Sequence, residues 1–209
     1  MKVFLASAAD KTLHLLSSLA KITPQKTKVA FIANASDLYT RETPWIDADR
    51  NKFRELGYSV TDVDLRRLTK TEIQKELTSA DIIHVCGGNL LYLLSLFQEK
   101  DIVDLIRDAV VKSGKIYTGT SAGSMIAAPS VELEKYSSET LPETLKKLKG
   151  FKGLGLAKFL VVPHSENPDF ASDSTQYVKH VHEHGVPLFF IYDSQAVWID
   201  GDGMRLMNA

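Results

Sequence analysis

Lys115-Ile-Tyr-Thr-Gly119-Thr120-Ser121-Ala122-Gly123-Ser-Met-Ile-Ala-Ala128 is the stretch on which the reading of this chain turns. It is a short apolar run that breaks at glycine, presents one serine and continues in helix-forming residues. A Gly-x-Ser-x-Gly between a strand and a helix forces the serine onto a sharp turn, where its hydroxyl projects from the sheet edge and its neighbours must be small. A helix beginning just after Ser121 would also aim free N–H groups and its positive end at a developing oxyanion. The same letters describe an ordinary turn with a serine N-cap, so the surrounding chain has to decide between them.

Upstream, Ala80-Asp-Ile-Ile-His-Val-Cys86 reads as a strand that runs into Gly87-Gly88-Asn89 and then a helix bearing Leu90, Leu93, Leu94 and Phe97. The two glycines either let backbone amides approach a ligand or make a tight turn ahead of an asparagine N-cap. Lys2 to Ser7, Lys28 to Ala33 and Tyr58 to Asp64 are further strands, each followed by helical spacing or a polar loop. Thr43-Pro44 opens a helix that ends at Gly57, and Thr69-Lys-Thr-Glu72 forms a capping box. Downstream, Pro129 to Ser138 is a surface loop and Thr140-Leu-Pro-Glu143 a second capping box. Lys158 to His164 is an apolar run ending on histidine, Asp169 to His184 is helical, and Pro187 to Asp193 is strand-like. Ala196 to Asp200 and Met204 to Met207 flank Gly201-Asp-Gly203 as a hairpin. This alternation predicts an α/β fold: a doubly wound, mainly parallel sheet flanked by helices, with an antiparallel C-terminal hairpin. Ligands bind such sheets at the carboxyl ends of the strands, where Gly87-Gly88, Ser121, His164 and Asp193 all fall.

The chain has 209 residues with 44% hydrophobic content, which suits one domain over residues 1–209. Its 25 basic and 26 acidic residues leave a net charge of −1, with no stripe for nucleic acid and no polybasic membrane anchor. A small-molecule or peptide partner is favoured. With no apolar run long enough to span a bilayer and no signal-peptide pattern, a cytoplasmic protein is expected. The single cysteine, Cys86, forms no internal disulfide and is read as non-catalytic; His84, inside an apolar strand, is read as a core residue. His180 and His184 share a helix face, but cations near a helix C-terminus are favourable without a metal, and no metal or organic cofactor is expected.

A serine hydroxyl needs a base within hydrogen-bond reach, and the base needs an acid to hold its tautomer. Ser121, His164 and Asp193 can fill those roles, with the N–H groups of Ala122 and Gly88 as oxyanion donors and Gly87 in reserve. Cys86-Gly-Gly-Asn89-Leu, Gly119-Thr-Ser-Ala-Gly-Ser124, Val162-Pro-His164 and Tyr192-Asp193-Ser194 together resemble the peptidase E family, the serine aspartyl dipeptidases with a fold related to class I glutamine amidotransferases. The resemblance implies a serine-type peptidase acting on short peptides, dipeptides with N-terminal aspartate among them, with Ser121 as nucleophile, His164 as base and the Gly-Gly-Asn turn, Asn89 included, against the substrate. It departs in two places. The family's late glutamate is here Asp193, and an aspartate some fifteen residues past the nucleophile is replaced by Tyr136, with Glu132 and Glu134 nearby. An aspartyl side chain also requires a cation, for which Arg41 is the candidate. The competing readings are a cyanophycinase-like hydrolase of β-aspartyl links and a non-catalytic binding module on the same fold. A glutamine amidotransferase is disfavoured because its elbow carries cysteine where this chain has Ser121.

Overall fold

The computed structural model describes residues 1–209. Its strands are β1 (Lys2–Ala6), β2 (Lys28–Ile32), β3 (Ser59–Asp62), β4 (Ile82–Val85), β5 (Ile116–Thr120), β6 (Leu160–Val162), β7 (Leu188–Phe190), β8 (Gln195–Asp200) and β9 (Gly203–Asn208). The helices are α1 (Ala9–Thr12), α2 (Leu16–Ala20), α3 (Pro44–Glu55), α4 (Lys70–Ser79), α5 (Leu90–Glu99), α6 (Val103–Val111), α7 (Ala122–Met125), α8 (Pro142–Lys147) and α9 (Ala171–His184). Seven strands form one sheet in the order β3-β2-β4-β5-β1-β8-β9. The first five are parallel, and β8 and β9 pair antiparallel at the far edge.

Alternation along the strands divides the core into two layers. Val3 and Leu5 of β1 face the same side as Ile83 and Val85 of β4 and the leucines of α5. Phe4 and Ala6 face the other side, against Leu13, Leu16 and Phe53. Both faces of the parallel region are therefore covered, as parallel sheets require. No helix is long and apolar enough to cross a membrane.

Two local expectations are corrected. The runs before His164 and Asp193 do not join the main sheet but pair with each other as a separate parallel sheet, β6-β7. The place beside β1 is taken by β8, and strands of only three residues each pair without it. The Thr140 capping box does not form: α8 starts at Pro142, and the Thr140 hydroxyl donates instead to the Glu134 carbonyl. The Thr69 box does form, with Thr69 and Glu72 bonded in both directions.

Neighbouring strands β4, β5 and β1 end side by side, and they deliver Gly87-Gly88, Ser121 and Ser7 to one stretch of the sheet's carboxyl edge. The contact that permits this is backbone on backbone. A Cβ on Gly123 would lie 1.9 Å from the Val85 carbonyl oxygen, and one on Gly119 would lie 2.3 Å from that of Gly123. Neither neighbour can yield without moving a strand. Gly123→Ala is expected to cost about 3 kcal/mol or more, the upper end for forcing atoms into a packed site. Gly114→Ala, where a Cβ meets nothing within 4 Å but φ is +71°, should cost only about 1 kcal/mol. Urea unfolding of the two variants measures the difference, and equal midpoints would refute the close-approach argument.

Candidate active site

Ser121 follows β5 directly and has φ 50° and ψ −114°, a conformation an L residue holds only when its surroundings impose it. Its N–H donates to the Ala6 carbonyl at 3.0 Å, and its own carbonyl accepts from Ser124 and Met125. The helix that follows, α7, is a single turn of four residues, so the helix dipole expected from the sequence shrinks to the free N–H groups of that turn. The N–H groups of Gly87 and Gly88 are not spent on any other backbone or side-chain acceptor, and Gly88, like Ala122, lines the cleft beside Ser121.

His164 also has a positive φ, +56°. Its Nε2 lies 3.0 Å from Ser121 Oγ and its Nδ1 2.5 Å from Asp193 Oδ1. A carboxylate can only accept, so in the neutral imidazole Nδ1 carries the proton and Nε2 is left to accept from Ser121. The ring stacks on Phe170 at 4.7 Å. Burial alone would raise the Asp193 carboxyl, but the Ser7 hydrogen bond, the His164 imidazole and Lys11 outweigh it, and the group titrates below the ordinary carboxylate range.

A second set of reactive side chains lies beneath the elbow. Asp49, His84 and Cys86 bring a carboxylate oxygen, a ring nitrogen and the sulfur within 4.8 Å of one another, all three residues being buried. Asp49 Oδ2 is 3.4 Å from His84 Nε2 and 3.9 Å from Cys86 Sγ. An acid, an imidazole and a thiol in such proximity are the components of a cysteine hydrolase. The expectation of a serine-type peptidase rested on the Ser121 elbow, on His164 and Asp193 beside it and on the family resemblance, with Cys86 read as non-catalytic and His84 as a core residue. The second set overturns it, and the serine-type label is not carried further. Cys86 has no exposed surface, and burial, with the Asp49 carboxylate, pushes its thiol well above the ordinary range. The same atoms are the chain's candidate metal ligands, although Asp49 already accepts from the Asp10 N–H through one oxygen and from the Thr120 hydroxyl through the other.

The cleft has two lobes that meet at Ser121, His164, Gly88, Phe170 and Glu139. One, of about 200 Å³, is walled by Tyr39, Trp45 and Arg41. The Arg41 guanidinium sits 5.4 Å from the Tyr39 ring and 5.9 Å from the Trp45 ring. The other lobe carries Glu134, Asp173 and Tyr177. Burial, augmented by Asp173 and Glu139 against the relief of the Tyr177 hydrogen bond, drives Glu134 up to about 8. Asn89 does not line the cleft. Its side-chain oxygen accepts from the Tyr92 N–H as the cap of α5, and its amide donates to the Glu139 carbonyl. Tyr136 stacks on His180 at 3.8 Å, and Glu132 pairs with Lys135 and His184, so of positions 132, 134 and 136 Glu134 alone reaches the site.

Residues 3–207 match the model of Peptidase family S51. The chain belongs to that family. An uncharacterized peptidase of Pasteurella multocida (strain Pm70) is 30% identical over 96% of this chain and 94% of its own length. An uncharacterized peptidase of Listeria monocytogenes is 28% identical over 91% and 95%. The fold is shared with a crystal structure from Listeria monocytogenes EGD-e of a protein proposed to be a peptidase E, at a TM-score of 0.88 and 24% identity, covering 100% of this chain and 98% of that one.

In this S51 member, Ser121, His164, Asp193, Gly87, Gly88, Ala122 and Arg41 come to one cleft or its margin, whereas Asn89 serves its helix. Ser7, Asp49 and Asp173 fall in no motif of the sequence. Asp49 had a signal: it lies four residues from both Trp45 and Phe53, on the apolar face of α3.

Glu134 makes the site's carboxylates visible in stability. Its folded carboxyl holds a proton more tightly than an unfolded one, so its contribution is complete at low pH and falls as pH rises from the usual 4.5 toward about 8. Glu134→Gln should flatten the loss of urea stability between about pH 5 and about pH 8. An identical loss in both proteins would show that Glu134 titrates normally.

Proposed function

We propose that this S51 member is a cyanophycinase-like amide hydrolase that cuts β-aspartyl links in small peptides, with Ser121, His164 and Asp193 as the cleft residues that act at the scissile group. The observation that carries the reading is the set of polar groups about Ser121: Arg41 in one lobe, Asp173 and the proton-holding Glu134 in the other, Glu139 between them. A β-linked aspartyl residue carries a free α-carboxylate and a free α-ammonium close to the amide to be broken. Each must meet an opposite charge or a set of donors or acceptors, because an unpaired charge taken out of water costs several kcal/mol. Tyr39 donates to Glu139 at 2.9 Å and so ties the loop after β2 to the loop after the elbow. That tie supports a preference for short substrates.

In this reading the Gly87, Gly88 and Ala122 N–H groups receive the negative oxygen that forms when the carbonyl carbon is attacked. His164 Nε2 takes a proton from the attacking group and returns it to the departing amine, while Asp193 holds the imidazole and offsets its charge.

The test compares kcat/KM on β-Asp-Leu, Asp-Leu and Ala-Leu. A site built around the aspartyl charges should favour β-Asp-Leu over Ala-Leu by at least about 10²-fold, and equal rates on all three would end the aspartyl reading. His164→Ala should lower turnover on the order of 10³-fold or more. Unchanged turnover in that variant would move the reacting centre to the buried Asp49, His84 and Cys86 set.

A further inference from the structure

We infer that Ser7, at the end of β1, is a positioning residue that aligns His164 and Asp193 with Ser121; the inference rests on the functional reading above for its kinetic consequence but not for its structural one. Ser7 has no exposed surface. Its hydroxyl donates to Asp193 Oδ1 at 2.7 Å and accepts from the His164 backbone N–H at 2.8 Å. The same oxygen is 3.2 Å from His164 Nδ1. One side chain of the main sheet thus touches both the base and the acid, which are mounted on the separate β6-β7 unit.

Both bonds act on something the local chain does not fix by itself. His164 is held at φ +56°, where a non-glycine residue stays only if its neighbours hold it, and the Ser7 oxygen holds its N–H. Asp193 Oδ1 receives both the Ser7 hydroxyl and the imidazole proton, which fixes the carboxylate plane and therefore the ring. The other charged groups facing this carboxylate are Lys11, whose Nζ is 3.4 Å from Oδ2, and Glu166, which accepts the Asp193 backbone N–H at 2.7 Å. Neither contacts the imidazole. The Ser7 hydroxyl thus gives its one proton to the acid.

The experiment uses the full chain as wild type, Ser7→Ala and Ser7→Thr, with urea midpoints to verify folding. In Ser7→Ala, the Asp193 carboxyl should titrate at higher pH by carbon NMR of labelled protein, since a donor to the ionised form is lost. The proton between His164 Nδ1 and Asp193 should also move or broaden in the low-field proton spectrum. Ser7→Thr, which keeps the hydroxyl, should restore both signals. On the peptide that the wild type cleaves best, kcat should fall roughly 10- to 100-fold with KM within about twofold, the pattern of a lost transition-state alignment. Unchanged NMR signals in a folded Ser7→Ala protein would overturn the inference, whatever the kinetics. A wild type that shifts as expected by NMR on mutation yet cleaves no aspartyl peptide would leave the positioning role standing and remove the substrate assignment instead.

Discussion

Gly123 against the Val85 carbonyl is the approach on which the carboxyl edge of the sheet is built. Because no side chain intervenes, the turn after β5 sits directly on the end of β4, and the residue between the two glycines has nowhere to go but outward. The unusual dihedrals of Ser121 follow from that crowding. The Tyr117 hydroxyl, fully buried, donates to the Gly123 carbonyl at 2.6 Å and so satisfies a group that the close packing would otherwise have stranded. Steric exclusion and hydrogen bonding thus prescribe the same elbow.

Beneath it lies a polar constraint of a different kind. Asp49 is 1% exposed, and a carboxylate in that position needs partners from every side. It finds them in the Asp10 N–H at the start of α1, the Thr120 hydroxyl one residue before Ser121, and the Cys86 thiol one residue before Gly87. A single helix residue therefore ties together the ends of two strands and the start of a third connection. His84 completes the group on one side through Thr118 Oγ1 at 2.9 Å, while its other nitrogen is buried without a hydrogen-bond partner.

Much of this architecture could be read from the residues, because its elements announce themselves by period and punctuation. The alternating strands, the Gly57 and Gly185 helix ends and the C-terminal hairpin all rest on local rules. The β6-β7 pairing does not: an apolar run of three residues carries no mark of which sheet it will join. The same distinction holds at the cleft. Ser121 and the Gly87-Gly88 turn are legible from sequence spacing, whereas the partners of Asp49 and Ser7 lie up to 186 residues away along the chain and are set by packing alone. Reading Cys86 as non-catalytic starts from its being the single cysteine and reading His84 as core starts from its apolar strand, and neither rule sees a buried acid on a facing helix.

The division into two sheets has a mechanical meaning. His164 and Asp193 follow the two strands of one small leaf, which holds the imidazole and the carboxylate together, while Ser121 belongs to the larger body. Phe170, stacked on the ring and lining both lobes, stands where an occupant of the cleft would press on that leaf. The seam between leaf and body thus runs between the imidazole and the Ser121 hydroxyl, and Ser7 is the side chain of the body that reaches across it to both His164 and Asp193.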